Sequence, residues 1–196
     1  KYPKFQPKNP ILNFIGSLLI YFPWLFFNSG TMASVSTPRT LYILSNTQIA
    51  AGFGTVTFTF VDYFLRGKKW SLQAASEGLI VGLVFVTPAC GFLEPWAIAI
   101  GTIFTAIVCR LTYDINEWIG IDDTTHRFNV HGIGGILGAL VVGVFASPRI
   151  AASDGPSEFE GGWFFHIVAK SGYQLPGSDP MVCLPLVLRS KHCFSF

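Results

Sequence analysis

His131 sits near the start of FNVHGIGGILGALVVGVFA, an uncharged stretch covering residues 128–146. Imidazole titrates near neutral pH and can both accept and donate a hydrogen bond, so a histidine inside an apolar segment suits a pore or a proton relay. Gly134, Gly135 and Gly138 follow at i+3, i+4 and i+7, and a regular helix places them on one face with the histidine. Gly134-x-x-x-Gly138 has the small-residue spacing of close membrane-helix packing. This predicts His131 on a packed face, with Leu140, Val141 and Val144 on the bulky opposite side. The competing reading is a packed histidine bonded to a backbone carbonyl. Haem ligation wants a second histidine at membrane depth, but His126, His166 and His192 lie in or beyond the loops, so no haem is expected.

Phe27 and Thr31 close an earlier apolar segment and share a face at i, i+4. An aromatic ring and a hydroxyl at a helix mouth can receive a small cation by cation–π contact and hydrogen bonding. An interfacial aromatic belt is an equal alternative. Thr47, Thr55, Thr57 and Thr59 are expected to bond back to their own helix. Asp122 and Asp123 place negative charge ahead of the helix that opens at residue 128.

Other chemistries find no footing. There is no serine–histidine–acid set and no pair of intramembrane carboxylates, so no catalytic residue is assigned and no enzyme is expected. Leu137 stands where a G-x-G-x-x-G fingerprint needs its last glycine, which excludes nucleotide binding. Cys90, Cys109, Cys183 and Cys193 lack metal-ligand spacing, so neither metal nor cofactor is expected. Cys90 and Cys109 read as small buried thiols.

Five apolar segments must position these residues: 10–29, 41–65, 72–93, 95–113 and 128–146. Each is long enough to span a bilayer as a helix. Pro23 within the first is tolerable where neighbouring helices satisfy the freed carbonyl. The chain is 51% hydrophobic and 12% charged, against about 25% charged in soluble domains. An all-α polytopic membrane protein is therefore expected, with lipid around it. A net charge of +2, with no basic aromatic stripe, gives no reason to expect nucleic acid.

If residues 1–9 are cytoplasmic, that side carries Lys1, Lys4, Lys8, Arg66, Lys68, Lys69, Arg110 and Arg127, and the other carries Arg39 and Arg149. The positive-inside rule favours this orientation. Beyond Gly162 the pattern fails: the apolar run Met181–Leu188 is broken by Pro185 and is too short to span. Residues 1–175 thus read as one membrane domain and 176–196 as a truncated or aberrant tail. A first residue other than methionine, with no visible signal peptide, reads as a fragment of a longer protein.

WLFFNSGT (24–31), NTQIAA (46–51), GLIVGLVFVTPACGFL (78–93), the pair Asp122-Asp123 and FNVHGIGGILG (128–138) together resemble the ammonium transporter family, the Amt/Mep proteins related to Rhesus glycoproteins. The resemblance covers roughly residues 10–175 and falls on the family's second half. It implies an eleven-helix fold of two five-helix halves related by a pseudo-two-fold axis in the membrane plane, of which these segments are helices six to ten. It further implies a plasma-membrane homotrimer with one pore per subunit.

Residue by residue, the resemblance makes His131 the second histidine of the family's twin-histidine pore. It makes Phe27 one of two stacked gating phenylalanines. Thr31 stands where the family usually has the serine of the outer recruitment site, beside Trp24, a matched tryptophan. The implied mechanism is capture of ammonium outside, loss of its proton, and passage of ammonia along the histidines with the proton carried separately. An ammonium sensor of the same fold, or a non-transporting fragment, is the alternative. The chain departs from the family at Pro23–Asn28, PWLFFN where GWFGFN is common, and at His126, where an acid is usual. The first histidine, the other gating phenylalanine, and the recruiting tryptophan and aspartate belong to the family's first half.

Overall fold

The computed structural model describes residues 9–32, 36–115, 123, 126–155 and 161–164. Within them every regular element is helical: α1 (Pro10–Ser29), α2 (Pro38–Leu65), α3 (Leu72–Val86), α4 (Pro95–Leu111), α5 (Phe128–Phe145) and the short α6 (Pro148–Ala151), followed by a 3₁₀ turn, Ala152–Asp154. The first helix starts where its sequence dictates. Pro10 occupies the first turn, and the Asn9 side chain accepts from the N–H groups of Ile11 and Leu12, both at 3.1 Å.

α3 is the hub, contacting α1, α2, α4 and α5. Its seam with α2 is built on absent side chains. A Cβ on Gly54 would lie 2.6 Å from the Gly78 carbonyl oxygen, and one on Gly82 would collide with the Ala50 carbonyl. Backbones approach this closely only when both helices present small residues. Among the described residues the apolar interior forms one cluster around Ile43, Phe85, Leu93 and Ile98, another around Phe58, Val81, Val84 and Val130, and a smaller one of Ala51, Leu79 and Leu83.

Among the described residues two helices, Pro10–Ser29 and Phe128–Phe145, are long and apolar enough to cross a membrane by length and composition. α3 and α4 have 15 and 17 residues, about 22 and 26 Å of rise. The expected segment 72–93 is thus not one helix. Pro88 has no N–H to continue the ladder, and the N–H groups of Ala89 and Cys90 both turn to the Val86 carbonyl, at 2.8 and 2.7 Å. Residues 87–93 then run as turns.

Buried non-helical backbone needs partners for its polar groups. Here the carbonyls of residues 90–93 each have a protein donor. Buried Asn46 donates through Nδ2 to the carbonyls of Cys90 (2.8 Å) and Leu93 (2.9 Å). Arg39 Nε donates to the Gly91 carbonyl at 3.0 Å, and the Ser147 N–H to that of Phe92 at 2.7 Å. The Arg39 guanidinium also pairs with Asp154 at 2.6 Å. Asp122 and the tail 176–196 lie outside the described residues.

Candidate functional site

α1 carries two of the expected site residues, Trp24 and Phe27. Thr31 lies beyond its end at Ser29, so Phe27 and Thr31 do not share a helix face as expected. Two hydrogen bonds fix the rotation of the helix. Trp24 Nε1 donates to Thr87 Oγ1 at 2.9 Å, and the Thr87 hydroxyl donates in turn to the Leu83 carbonyl at 2.8 Å. One helical turn on, buried Asn28 donates through Nδ2 to Thr47 Oγ1 at 3.1 Å, and Thr47 donates to the Ile43 carbonyl at 2.7 Å. These bonds pin the Trp24–Asn28 face of α1 to α3 and α2. Phe27 is left 64% exposed. Thr31 is also exposed, with its hydroxyl bonded back to the Asn28 carbonyl at 2.8 Å.

α5 corrects one expectation. Gly134 and Gly138 are buried on α3, where a Cβ on Gly134 would sit 3.5 Å from Val84 Cγ1 and one on Gly138 would meet the Phe85 carbonyl. His131, however, is exposed and does not lie on that packed face. The reason is the first turn of the helix. Phe128–Ile133 is π-helical, not α-helical, and its wider turn breaks the 3.6-residue register that would align the histidine with the glycines. Asp123 caps this turn, with Oδ2 accepting from the Phe128 N–H at 2.7 Å.

Trp24 on α1 and Ile133 on α5 pack against the same apolar cluster, which includes Val84 of α3 and Val130 of α5. The structure therefore gathers the tryptophan and the histidine-bearing turn around one part of α3. Both His131 and Phe27 keep their side chains out of the packing between these helices.

Of the threonines on α2, Thr47, Thr55 and Thr59 bond back to their own helix at 2.6–2.7 Å, as expected. Cys90 and Cys109 are buried free thiols. The role of Thr87 was not foreseen from the sequence, nor was that of Asn46. Both are polar residues inside apolar segments, and that alone is the signal which marks them.

A second polar site lies at the far end of α2. Asp62 Oδ1 receives Arg110 Nε at 2.7 Å and Arg66 Nε at 3.0 Å. Beside it, Asn129 Nδ2 donates to the Thr112 carbonyl at 2.9 Å and to its hydroxyl at 2.8 Å, which ties the first turn of α5 to the end of α4.

The model of the Ammonium Transporter Family matches residues 1–184. Ammonium transporter 3 of Schizosaccharomyces pombe is 46% identical over 187 residues, which is 95% of this chain and 36% of that protein. Ammonium transporter MEP2 of Saccharomyces cerevisiae is 36% identical, over 89% of this chain and 35% of its own length. The chain thus spans about a third of the length of these relatives. Among solved structures, the crystal structure of Saccharomyces cerevisiae Mep2 superposes with a TM-score of 0.78 at 34% identity, over 87% of this chain and 40% of that one. That of Candida albicans Mep2 gives 0.78 at 36% identity, over 89% and 38%.

Proposed function

This chain belongs to the ammonium transporter family, and we propose that it forms one wall of a path along which ammonium crosses a membrane. Members of the family are polytopic membrane transporters rather than enzymes. In this reading α1 to α5 are membrane spans, residues 1–9 lie on the cytoplasmic side, and the assembly is a plasma-membrane homotrimer.

Phe27, Thr31 and Trp24 form the outer receiving end. Phe27 offers a ring face to the cation, and Thr31 offers a hydroxyl oxygen. His131 accepts the ammonium proton and passes it on, so that the neutral molecule crosses the apolar section. Removing the charge lowers the cost of desolvation there, which is steep for an ion and modest for ammonia.

The observation that carries this reading is the contrast on α5. Gly134 and Gly138 are buried in packing on α3, while His131, in the π turn ahead of them, is exposed. A histidine serving only to hold helices together would be buried with them. The test is His131→Ala in a transporter of full family length carrying this sequence. Methylammonium uptake is expected to fall by about tenfold or more, with membrane abundance unchanged. Unchanged uptake and selectivity would remove His131 from the path.

A further inference from the structure

The loop between α2 and α3 has features the transport reading does not use. Gly67 and Lys68 both take left-handed backbone, with φ of 69° and 64°, and the Lys68 N–H closes on the Tyr63 carbonyl at 2.9 Å. This tight turn folds Trp70 back onto α2, where its ring stacks on Tyr63 with centroids 4.4 Å apart and planes 27° from parallel. The indole lines an open surface cavity of about 400 Å³, together with Arg66, Lys69, Ser71, Leu72 and Gln73 and with Pro10 of α1.

Its charge has one sign. Arg66, Lys68 and Lys69 fall within four residues, and none of the residues lining the cavity is acidic. The nearby Asp62 carboxylate is held by both Arg66 and Arg110 through one oxygen. In sequence, Lys1, Lys4 and Lys8 precede Pro10. Beside the cavity, Phe60 and Phe64 of α2 are exposed, with rings edge to face at 5.1 Å, and Trp70 is more exposed than either.

We propose that this cavity binds the headgroup phosphate of an anionic phospholipid. Arg66 and Lys69 meet the phosphate, Trp70 lies at the glycerol level, and the acyl chains run along Phe60 and Phe64. Cations alone would suit any soluble anion. The stacked indole and the exposed Phe60 and Phe64 add apolar surface that a lipid uses and a soluble anion does not, and aromatic rings favour this depth of a bilayer. A cluster of cations at the membrane surface attracts anionic lipid additively, residue by residue. The site rests on the reading of α2 and α3 as membrane spans.

The test uses the full-length transporter carrying this sequence, purified in neutral detergent, with bound lipid counted by native mass spectrometry. Phosphatidylserine is expected to bind in clear preference to phosphatidylcholine. The double variant Lys68→Gln, Lys69→Gln leaves the Arg66–Asp62 pair intact and is expected to weaken phosphatidylserine binding by about thirtyfold, the loss of two cations at an anionic surface. Trp70→Ala is expected to reduce binding of both lipids. Equal binding of the two lipids by the wild type, or an unaltered preference in the double variant, overturns the site. Displacement of phosphatidylserine by equimolar inorganic phosphate identifies a soluble-anion pocket and overturns the lipid assignment. Methylammonium uptake by the same wild-type preparation in liposomes reports on the transport reading separately, so failure of one is not failure of the other.

Discussion

Trp24 and Thr87, 63 residues apart in sequence, are joined by a 2.9 Å hydrogen bond from the indole Nε1 to the threonine Oγ1. Thr87 is the first residue beyond α3, where the helix gives way before Pro88. The bond therefore couples the packed Trp24–Asn28 face of α1 to the point where α3 loses its regular ladder.

Thr87→Val keeps the shape of the side chain and removes the acceptor. The half-buried indole N–H is then left without its partner, at a cost of about 1–2 kcal/mol. We expect a correspondingly lower melting temperature, a shifted tryptophan emission and reduced methylammonium uptake. Thr87→Ser restores the oxygen and is expected to recover all three. Emission and uptake that stay at wild-type values in Thr87→Val would show that the bond does not set the indole.

Glycines along the helices divide sharply by what a methyl group would meet. Gly82→Ala drives its Cβ into the Ala50 carbonyl, a backbone atom that cannot swing aside. Overpacking of this kind costs about 1–3 kcal/mol, and the α2–α3 seam is expected to open with an earlier thermal transition in detergent. Gly52→Ala and Gly16→Ala meet nothing within 4 Å. They are expected to be neutral or slightly stabilising, since alanine is the better helix former. Equal melting temperatures for Gly82→Ala and Gly52→Ala would refute the close seam.

The Asp62–Arg110 pair is nearly withdrawn from solvent, with side chains 2% and 11% exposed. Asp62→Asn leaves Arg110 without its counter-charge and is expected to cost about 3–5 kcal/mol. Replacing both, as Asp62→Leu with Arg110→Met, removes the uncompensated charge and is expected to cost much less than the two single changes together. A double-mutant cycle on thermal stability measures the coupling, and additive single effects would show that the pair is not coupled.

How far the sequence reaches differs between elements. α1 coincides with the apolar run 10–29, whose length and composition mark it, while the cap supplied by Asn9 shows only in the structure. The Gly134/Gly138 contact was legible because it rests on local spacing alone. The break after Val86 was not, even though Pro88 was in view. Apolarity continues through Leu93, and the residues that satisfy the turn, Asn46, Arg39 and Ser147, come from distant parts of the chain. The exposed placement of His131 departs from the sequence expectation for a different reason. A regular helix has a period of about 3.6 residues, whereas this turn is π-helical, and no rule of residue composition marks such a turn in advance.

That turn gives the sharpest test of the site. A π turn holds one residue more than the α turn it replaces, so deleting Gly132 is expected to heal Phe128–Ile133 into regular α-helix. Gly134 and Gly138 remain seated on Val84, Phe85 and Pro88. The residues ahead of the deletion turn relative to that fixed seam, the histidine together with buried Asn129 and Val130, which must repack. We therefore expect the deletion variant to reach the membrane and to melt within about 1–3 kcal/mol of wild type, yet to lose methylammonium uptake as fully as His131→Ala. If instead uptake survives the deletion, the direction of the imidazole does not matter, and the π turn is a packing detail rather than a device for aiming His131.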